Sequence, residues 1–341
     1  MTPHTAPRTA PDAALDAPPT LLQRAHLPFA IGAVALVTLG AFENRAVLTV
    51  LPTVADHLDG LWLFGAAAAA PLISFVVATT VAGSWSDHRG PVPVLYAGMG
   101  LFVAGELLMG LAPAMVVFVA GRLVGGLAEG LLDVGLTVLV ARALPARLRP
   151  KIFATFAAAW VLPSLLGPPV AAWVTTTWSW RWVFWLVVVP VVAALALVFA
   201  RRAQIAAADE GIDESSRDHR EHARAAWFGV LIAASAGALQ WGTHDLELTW
   251  SAKTAAAVLG VLGIAATAPM LLPRGTWLLR RGLPSVMLAR FLLTCSFFGT
   301  ITYIPLMLVN ERGQSLGTAG TILAVGSLGW STGSSSLVAC C

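Results

Sequence analysis

The stretch GSWSDHRGP, residues 83–91, places Asp87, His88 and Arg89 between two long apolar segments of the chain. Only 11% of the 341 residues are charged, while 57% are hydrophobic. Mean hydropathy is +0.77, and soluble domains contain about a quarter charged residues. The composition therefore predicts a polytopic membrane protein, in which this charged stretch is a tight turn between two membrane spans.

Apolar runs recur along the chain, each about 20 residues long, which is enough for a helix to cross a hydrocarbon core about 30 Å thick. They do not alternate apolar and polar residues, as the strands of a membrane barrel would. The sequence thus predicts an all-α membrane protein with ten helical spans. These spans cover residues 28–51, 62–83, 92–112, 115–140, 152–175, 182–200, 226–244, 252–272, 286–309 and 316–336.

The segments outside the spans carry no targeting or cofactor signal. Residues 1–26 are rich in Pro, Ala and Thr and lack an apolar core with a cleavage site, which predicts a disordered tail and no signal peptide. The three cysteines, Cys295, Cys340 and Cys341, form neither a disulfide framework nor a metal-ligand spacing. The net charge of +3 is spread over many loops, so we expect no nucleic-acid partner, no cofactor and no metal.

The basic residues of the loops predict the orientation in the membrane. Fifteen of the 21 Lys and Arg residues fall in the tail and in the loops on its side, and three fall in the opposite loops. Cytoplasmic loops carry the excess of Lys and Arg. We therefore expect a multi-pass protein of the cell membrane, with its N-terminus and the loop 201–224 in the cytoplasm. The three residues on the opposite side are Arg181, Lys253 and Arg312.

The turn GSWSDHRGP contains a spaced pattern, namely Gly83, Asp87, Arg89 and Gly90. This pattern resembles G-x-x-x-D-r-x-G-r-k, the signature loop of the major facilitator superfamily, although Pro and Val stand where the last two basic residues usually occur. The resemblance implies a gating loop whose Asp and basic residues hold neighbouring helix ends together. We expect the two glycines to permit close approach and Pro91 to begin the next helix.

Two further stretches make the resemblance more specific. The fourth span contains VAGRLVGGLAEG, residues 119–130, whose Gly-Arg pair matches the family's intramembrane arginine motif. The fifth span contains AAWVLPSLLGPPVAAW, residues 158–173, which resembles the G-P-x-x-G-G motif of drug:proton antiporters. The antiporter-like residues are Pro163, Gly167 and Pro168. Small residues there allow close helix contact, and proline bends a helix.

The order of the spans resembles the fourteen-helix drug:proton antiporter branch of this superfamily, truncated at the C-terminus. The resemblance implies a complete N-terminal six-helix bundle and an incomplete second bundle. The predicted units are a disordered cytoplasmic tail (1–26), the six-helix bundle (27–200), a cytoplasmic loop (201–224), an inserted central helix pair (225–273), the first two helices of the C-terminal bundle (285–336) and an off-pattern tail (337–341).

Ionisable residues inside the spans are candidates for function, because each is costly in the bilayer unless paired or hydrated. Arg122, Glu129 and Asp133 are seven and four residues apart, which places them on one face of the fourth helix. Glu43 and Arg122 lie at a similar depth and could pair across the bundle. Two carboxylates one turn apart favour holding a proton. Glu43, Arg122, Glu129 and Asp133 are therefore the candidates for proton coupling, with a packing ion pair as the alternative for Glu43 and Arg122.

For two other intramembrane residues we expect structural contacts and no part in proton coupling. Glu106 lies on a helix that is usually peripheral in this fold, so we expect an ordinary contact within the bundle. Arg45 is expected to reach toward the outer headgroups. Among the tryptophans, Trp160 and Trp173 could pack near a substrate path.

The resemblance implies a secondary active transporter, embedded in the lipid bilayer, that exports drug-like or amphipathic small molecules in exchange for protons. Two alternatives remain open. The chain could be a truncated, non-transporting membrane protein or a partner subunit, or it could carry a different substrate class such as a metabolite. An integral membrane enzyme is disfavoured, because the sequence contains no phosphate loop, paired His ligands or nucleophile elbow.

Overall fold

The computed structural model describes residues 27–199, 219–243, 250–271, 276 and 282–326. The described elements are helices. They are α1 (Leu27–His57), a 3₁₀ turn (Leu61–Leu63), α2 (Phe64–Arg89), α3 (Pro91–Gly110), α4 (Met115–Ala143), α5 (Arg149–Ala158), α6 (Val161–Thr177), α7 (Arg181–Phe199), α8 (His219–Gly242), α9 (Trp250–Leu271), α10 (Leu283–Leu306) with a π-helical turn (Met307–Glu311), and α11 (Leu316–Gly326).

Seven helical segments within the described residues are long and apolar enough to cross a membrane. The corresponding stretches of α8, α9 and α11 are shorter, whereas the sequence predicted ten full spans. The helix α8 begins at His219, inside the predicted loop 201–224, because Arg, Glu and Ala extend it toward its N-terminus. The predicted tails 1–26 and 337–341, the loop residues 201–218, and the end of the span 316–336 lie outside the described residues.

The predicted gating loop is mostly helical. The helix α2 continues six residues past its predicted end, so that Asp87 and Arg89 lie in its last turn. Gly90 alone separates α2 from α3, with φ of +78°, and Pro91 begins α3 as predicted. Nothing between residues 83 and 90 breaks a helix, whereas a left-handed glycine followed by proline does. The expected close approach at Gly83 is wrong, because a β-carbon there would meet nothing within 4 Å.

The helix α4 packs closely against both α2 and α3 through glycines. On one side, a β-carbon on Gly105 of α3 would lie 3.0 Å from the backbone nitrogen of Gly125. On the other side, β-carbons on Gly126 and Gly130 would overlap backbone or side-chain atoms of α2. Small residues four apart permit this backbone approach between membrane helices. The helix α4 therefore packs tightly against α2 on one side and α3 on the other.

The two larger of three apolar clusters in the described residues lie on either side of a polar level. Leu36 of α1 belongs to the first cluster and Ala46 to the second. Glu43 lies between these two residues along α1. Glu106 of α3 and Arg122 of α4 likewise lie between residues of the first cluster and residues of the second cluster along their own helices. The first cluster includes Phe29, Leu36, Leu95, Phe102, Ala128 and Val198, and the second includes Ala46, Val50, Met109, Phe118, Trp180 and Phe184.

The predicted span 152–175 is interrupted, so that α5 ends at Ala158 and α6 begins at Val161. Pro163 lies in the first turn of α6. Its ring cannot donate to the carbonyl of Ala159 and would clash with it in a continuous helix. The turn at Ala159 and Trp160 therefore follows from a residue that the sequence analysis assigned to the antiporter-like motif.

The remaining helices lie around this core. The helix α1 packs against α6 and α7, and α8 pairs with α9 and packs against α2. A β-carbon on Gly229 of α8 would lie 2.6 Å from the hydroxyl of Thr80. The helix α10 contacts α1 and exposes Phe291, Leu292 and Leu293, an apolar surface of the kind that lipid covers.

Candidate functional site

A buried ion pair joins α1 to α4. Nη1 of Arg122 donates to Oε1 of Glu43 over 2.9 Å, and Nε of Arg122 donates to the carbonyl of Ala67 in α2 over 3.2 Å. Arg122 is 3% exposed and Glu43 is 7% exposed. The structure therefore brings Glu43 and Arg122 together as the sequence suggested, and one guanidinium links three helices.

Glu106 is the buried acid that the sequence analysis underestimated. It is 1% exposed, and among the described residues its Oε2 has no hydrogen-bond partner. The charges of Glu43, Arg122 and Glu129 lie close enough to interact with it electrostatically. Glu106 thus lies within the bundle as expected, but more deeply than a peripheral helix implies, because close packing of α3 on α4 at Gly105 brings the next residue to the polar level. The adjacent pair Gly105-Glu106 is the signal that could have indicated this.

A cavity of about 260 Å³ lies beside this polar level. Glu129 and Asp133 of α4 line it, together with Asn44 and Arg45 of α1. Nδ2 of Asn44 donates to Oε1 of Glu129 over 2.9 Å. Most of the remaining wall is apolar, and Glu43 and Arg122 are not part of it. The apolar and aromatic wall includes Leu36, Phe75, Phe102, Leu132, Trp160 and Phe298.

This arrangement can bind an amphipathic molecule and a proton in one place. An apolar wall with a few polar groups is typical of small-molecule sites. Two carboxylates on one wall resist being ionised together, because each charge disfavours the other in a poorly solvated cavity. Trp160 lines the cavity, whereas Trp173 is 58% exposed and not part of its lining. Within the described ranges, the acids, histidines and cysteines form no group suited to a metal ion.

The end of α2 that contains the predicted gating residues is held by α4. Nη2 of Arg142, in the last turn of α4, donates to the carbonyl of Ser86 over 3.2 Å. Asp87 and Arg89 follow directly, and Gly90 ends the helix. A cation at a helix C-terminus interacts favourably with the unpaired carbonyls there. Arg142 is therefore a contact of this segment that the sequence analysis did not identify.

The antiporter-like residues lie at helix contacts. A β-carbon on Gly167 would lie 3.2 Å from Cβ of Arg45, so α6 approaches α1 closely at the cavity. On another side of α6, the carbonyl of Pro168 would lie 2.9 Å from a β-carbon on Gly320 of α11. Pro163 interrupts the span, as described above. These residues shape the helices around the cavity, and the polar groups of its lining come from α1 and α4.

Comparisons with a family model and with curated proteins agree on one family. The family model described as Major Facilitator Superfamily matches residues 33–339. An uncharacterized MFS-type transporter of Mycobacterium tuberculosis is 25% identical over 98% of this chain and 49% of its own length. The multidrug transporter protein MdtP of Bacillus subtilis is 23% identical over 86% of this chain and 54% of its own. The chain spans about half the length of these curated relatives.

Solved structures support the same fold. A POT family transporter in complex with a thioalcohol-conjugated peptide superposes with a TM-score of 0.58 at 15% identity, covering 89% of this chain and 66% of that one. A peptide transporter in complex with sulfate superposes with a TM-score of 0.57 at 17% identity, covering 88% and 65%. At this identity the likeness concerns the fold alone.

Proposed function

Since the chain belongs to the Major Facilitator Superfamily and is a multi-pass membrane protein, we propose that it is a proton-coupled exporter of drug-like or amphipathic small molecules. In this proposal it lies in the cell membrane with its N-terminus in the cytoplasm, as the distribution of basic residues favours. Relatives named multidrug transporter protein MdtP and multidrug resistance protein 3, both of Bacillus subtilis, support the substrate class.

The observation that carries the proposal is the cavity that contains Glu129 and Asp133. Its wall is mainly apolar, it lies among helices of the N-terminal bundle and α10, and its acids come from the helix that also holds Arg122. Ionisable groups inside a membrane protein mark proton and substrate pathways. An apolar cavity with carboxylates suits a substrate that has an aromatic body and a basic group.

The proposed coupling is a competition for the carboxylates. A proton on Glu129 or Asp133 neutralises that carboxylate, and a basic group of the substrate can pair with it only when it is ionised. Binding of the substrate thus releases a proton, and return of a proton releases the substrate on the other side. Rocking of two bundles around a midplane site would expose the cavity to each side in turn. The Glu43–Arg122 pair stabilises the helices that carry these acids.

Neutralising a cavity acid should uncouple export from the proton gradient. In proteoliposomes with an imposed pH gradient, Glu129→Gln or Asp133→Asn is expected to reduce gradient-driven uptake of a cationic dye about tenfold, which corresponds to about 1.4 kcal/mol. Asp56→Asn is a matched control, because Asp56 is exposed and outside the cavity. Dye uptake would be followed by fluorescence with and without an uncoupler.

Equal losses in Glu129→Gln, Asp133→Asn and Glu106→Gln would indicate that the acids stabilise the bundle and do not couple transport. Dye flux by the wild type that is the same with and without the proton gradient would contradict proton coupling for the whole protein.

We also propose that Asp87, with Arg89, Gly83 and Gly90, forms the gating segment at the end of α2. Asp87→Asn is expected to lower the dye flux several-fold in the same assay while leaving its response to the uncoupler and the thermal unfolding temperature unchanged, because the segment would control access and not proton binding. An unchanged flux would contradict the gating role.

A further inference from the structure

Arg45 lies in the wall of the cavity, one residue from Asn44. The expectation that it reaches the outer headgroups is therefore wrong. Its guanidinium carbon lies 5.8 Å from the ring centroid of Phe297 in α10, within the range of a cation–π contact. The helix α6 approaches α1 closely at Gly167 and packs against Cβ of Arg45. Arg45 is thus held at the cavity by α6 and α10.

Within the part of the chain that the structure describes, no direct ion pair balances the charge of Arg45. Among the described residues its Nε is buried without a hydrogen-bond acceptor, and no carboxylate lies within ion-pair distance of its guanidinium. Glu129 accepts from Asn44, and Glu43 pairs with Arg122. A half-buried cation without a close partner is costly unless a ligand supplies the opposite charge.

The cavity therefore presents both signs of charge to a ligand. Glu129 and Asp133 offer negative charge on α4, and Arg45 offers positive charge on α1. Guanidinium groups bind carboxylates, sulfonates and phosphates with two parallel hydrogen bonds. A purely cationic substrate would face the carboxylates and be repelled by Arg45, whereas a substrate with both charges could satisfy both walls.

We infer that Arg45 is the anion-binding point of the cavity, and that the substrate is an amphoteric amphiphile with an acidic group for Arg45 and a basic group for Glu129 or Asp133. This inference rests on the proposed function, because it assigns the substrate class of the same cavity. Protonation of the acids would release the basic end of the substrate and leave Arg45, which keeps its charge at all relevant pH values, as the one charged contact. Binding would then be weak enough for the substrate to leave.

The test compares two xanthylium dyes that differ only in one group, a dye with a free carboxylate and its methyl ester. Binding of each dye to the purified chain in nanodiscs is measured by fluorescence anisotropy. The wild type is expected to bind the carboxylate dye about tenfold more tightly than the ester, as one charge-assisted bidentate contact warrants. In Arg45→Met the preference should disappear through weaker binding of the carboxylate dye.

Two further variants serve as controls for this test. Arg45→Lys keeps the charge but loses the planar fork, so it should retain a smaller preference for the carboxylate dye. Arg312→Met removes an exposed Arg outside the cavity and should leave both affinities unchanged. Size-exclusion profiles establish whether each variant is folded. If Arg45→Met is not folded, the dye preference of Arg45→Lys tests the role of Arg45.

Equal affinity for both dyes, tighter binding of the ester, a preference that survives in Arg45→Met, or binding of neither dye would each overturn the inference. The proposed function fails separately, through flux that ignores the proton gradient. Gradient-driven flux of the ester dye without any preference for the carboxylate would refute the role of Arg45 and leave proton-coupled export intact.

Discussion

Replacement of Arg122 by methionine is expected to lower the free energy of unfolding by about 3–5 kcal/mol, which is the usual cost of leaving one partner of a buried ion pair alone. Arg122 contacts Glu43 of α1 and the carbonyl of Ala67 of α2 from its position on α4. Its loss leaves a buried carboxylate and a buried carbonyl without their donor. Unfolding in mixed detergent micelles, followed by circular dichroism, measures the change.

The double variant Glu43→Gln/Arg122→Met separates pairing from function. Removing both charges should recover much of the lost stability, because a buried pair replaced by neutral groups is often nearly neutral. Arg312→Met, at an exposed position, should change stability by no more than about 0.5 kcal/mol. An Arg122→Met variant as stable as Arg312→Met would show that the pair is not needed to hold α1 and α4 together.

Flux of the double variant then addresses the alternative that the sequence analysis left open. A stable double variant with normal gradient-driven flux would identify Glu43 and Arg122 as a packing pair. A stable double variant without coupled flux would give the pair a role in coupling, beyond its contribution to the fold.

Gly126→Ala is expected to destabilise the bundle by about 1–3 kcal/mol, the usual cost of overpacking a close contact. A β-carbon at Gly126 would overlap the backbone of Pro71 and the hydroxyl of Ser74, so α2 and α4 must move apart. The obstacle is backbone, which cannot rotate away as the end of a flexible side chain can. The same unfolding measurement applies, and the variant should also lower the yield of monodisperse protein.

The neighbouring glycine is a matched control for this substitution. A β-carbon on Gly125 would meet only the methyl group of Met109, at 3.9 Å. Gly125→Ala should therefore be neutral or stabilise α4 by up to about 1 kcal/mol, because alanine favours helix more than glycine does. Similar losses in both variants would contradict the close contact of α4 with α2 at Gly126.

Sequence reasoning captured what depends on helix periodicity and depth. The pairing of Glu43 with Arg122 followed from their similar depth in two spans, and Glu129 and Asp133 share a cavity wall because they are one helical turn apart. These relations are local to one helix or need only two helices side by side. The family of the chain was likewise evident from motif spacing.

The features that sequence reasoning missed depend on how closely helices approach. Glu106 became buried because Gly105 lets α3 pack against the backbone of α4, and Arg45 turned to the cavity at the side where Gly167 brings α6 near. The break before α6 follows from Pro163, whereas the sequence predicted a bent but continuous span there. Helical periodicity predicts on which face of a helix a side chain lies, whereas the distance between helices determines which residues that face contacts.

The polar level between the two apolar clusters has an electrical consequence. Glu43, Glu106 and Arg122 are separated from both ends of the bundle by apolar side chains, so their charges lie inside the transmembrane field. An elementary charge that crosses the full membrane changes its energy by about 2.3 kcal/mol per 100 mV, and one that stops at this level feels a fraction of that. In the proposed coupling, a proton that reaches Glu129, about two helical turns from Arg122 on α4, would cross part of this field too. Export would then depend on the membrane voltage as well as on the pH difference.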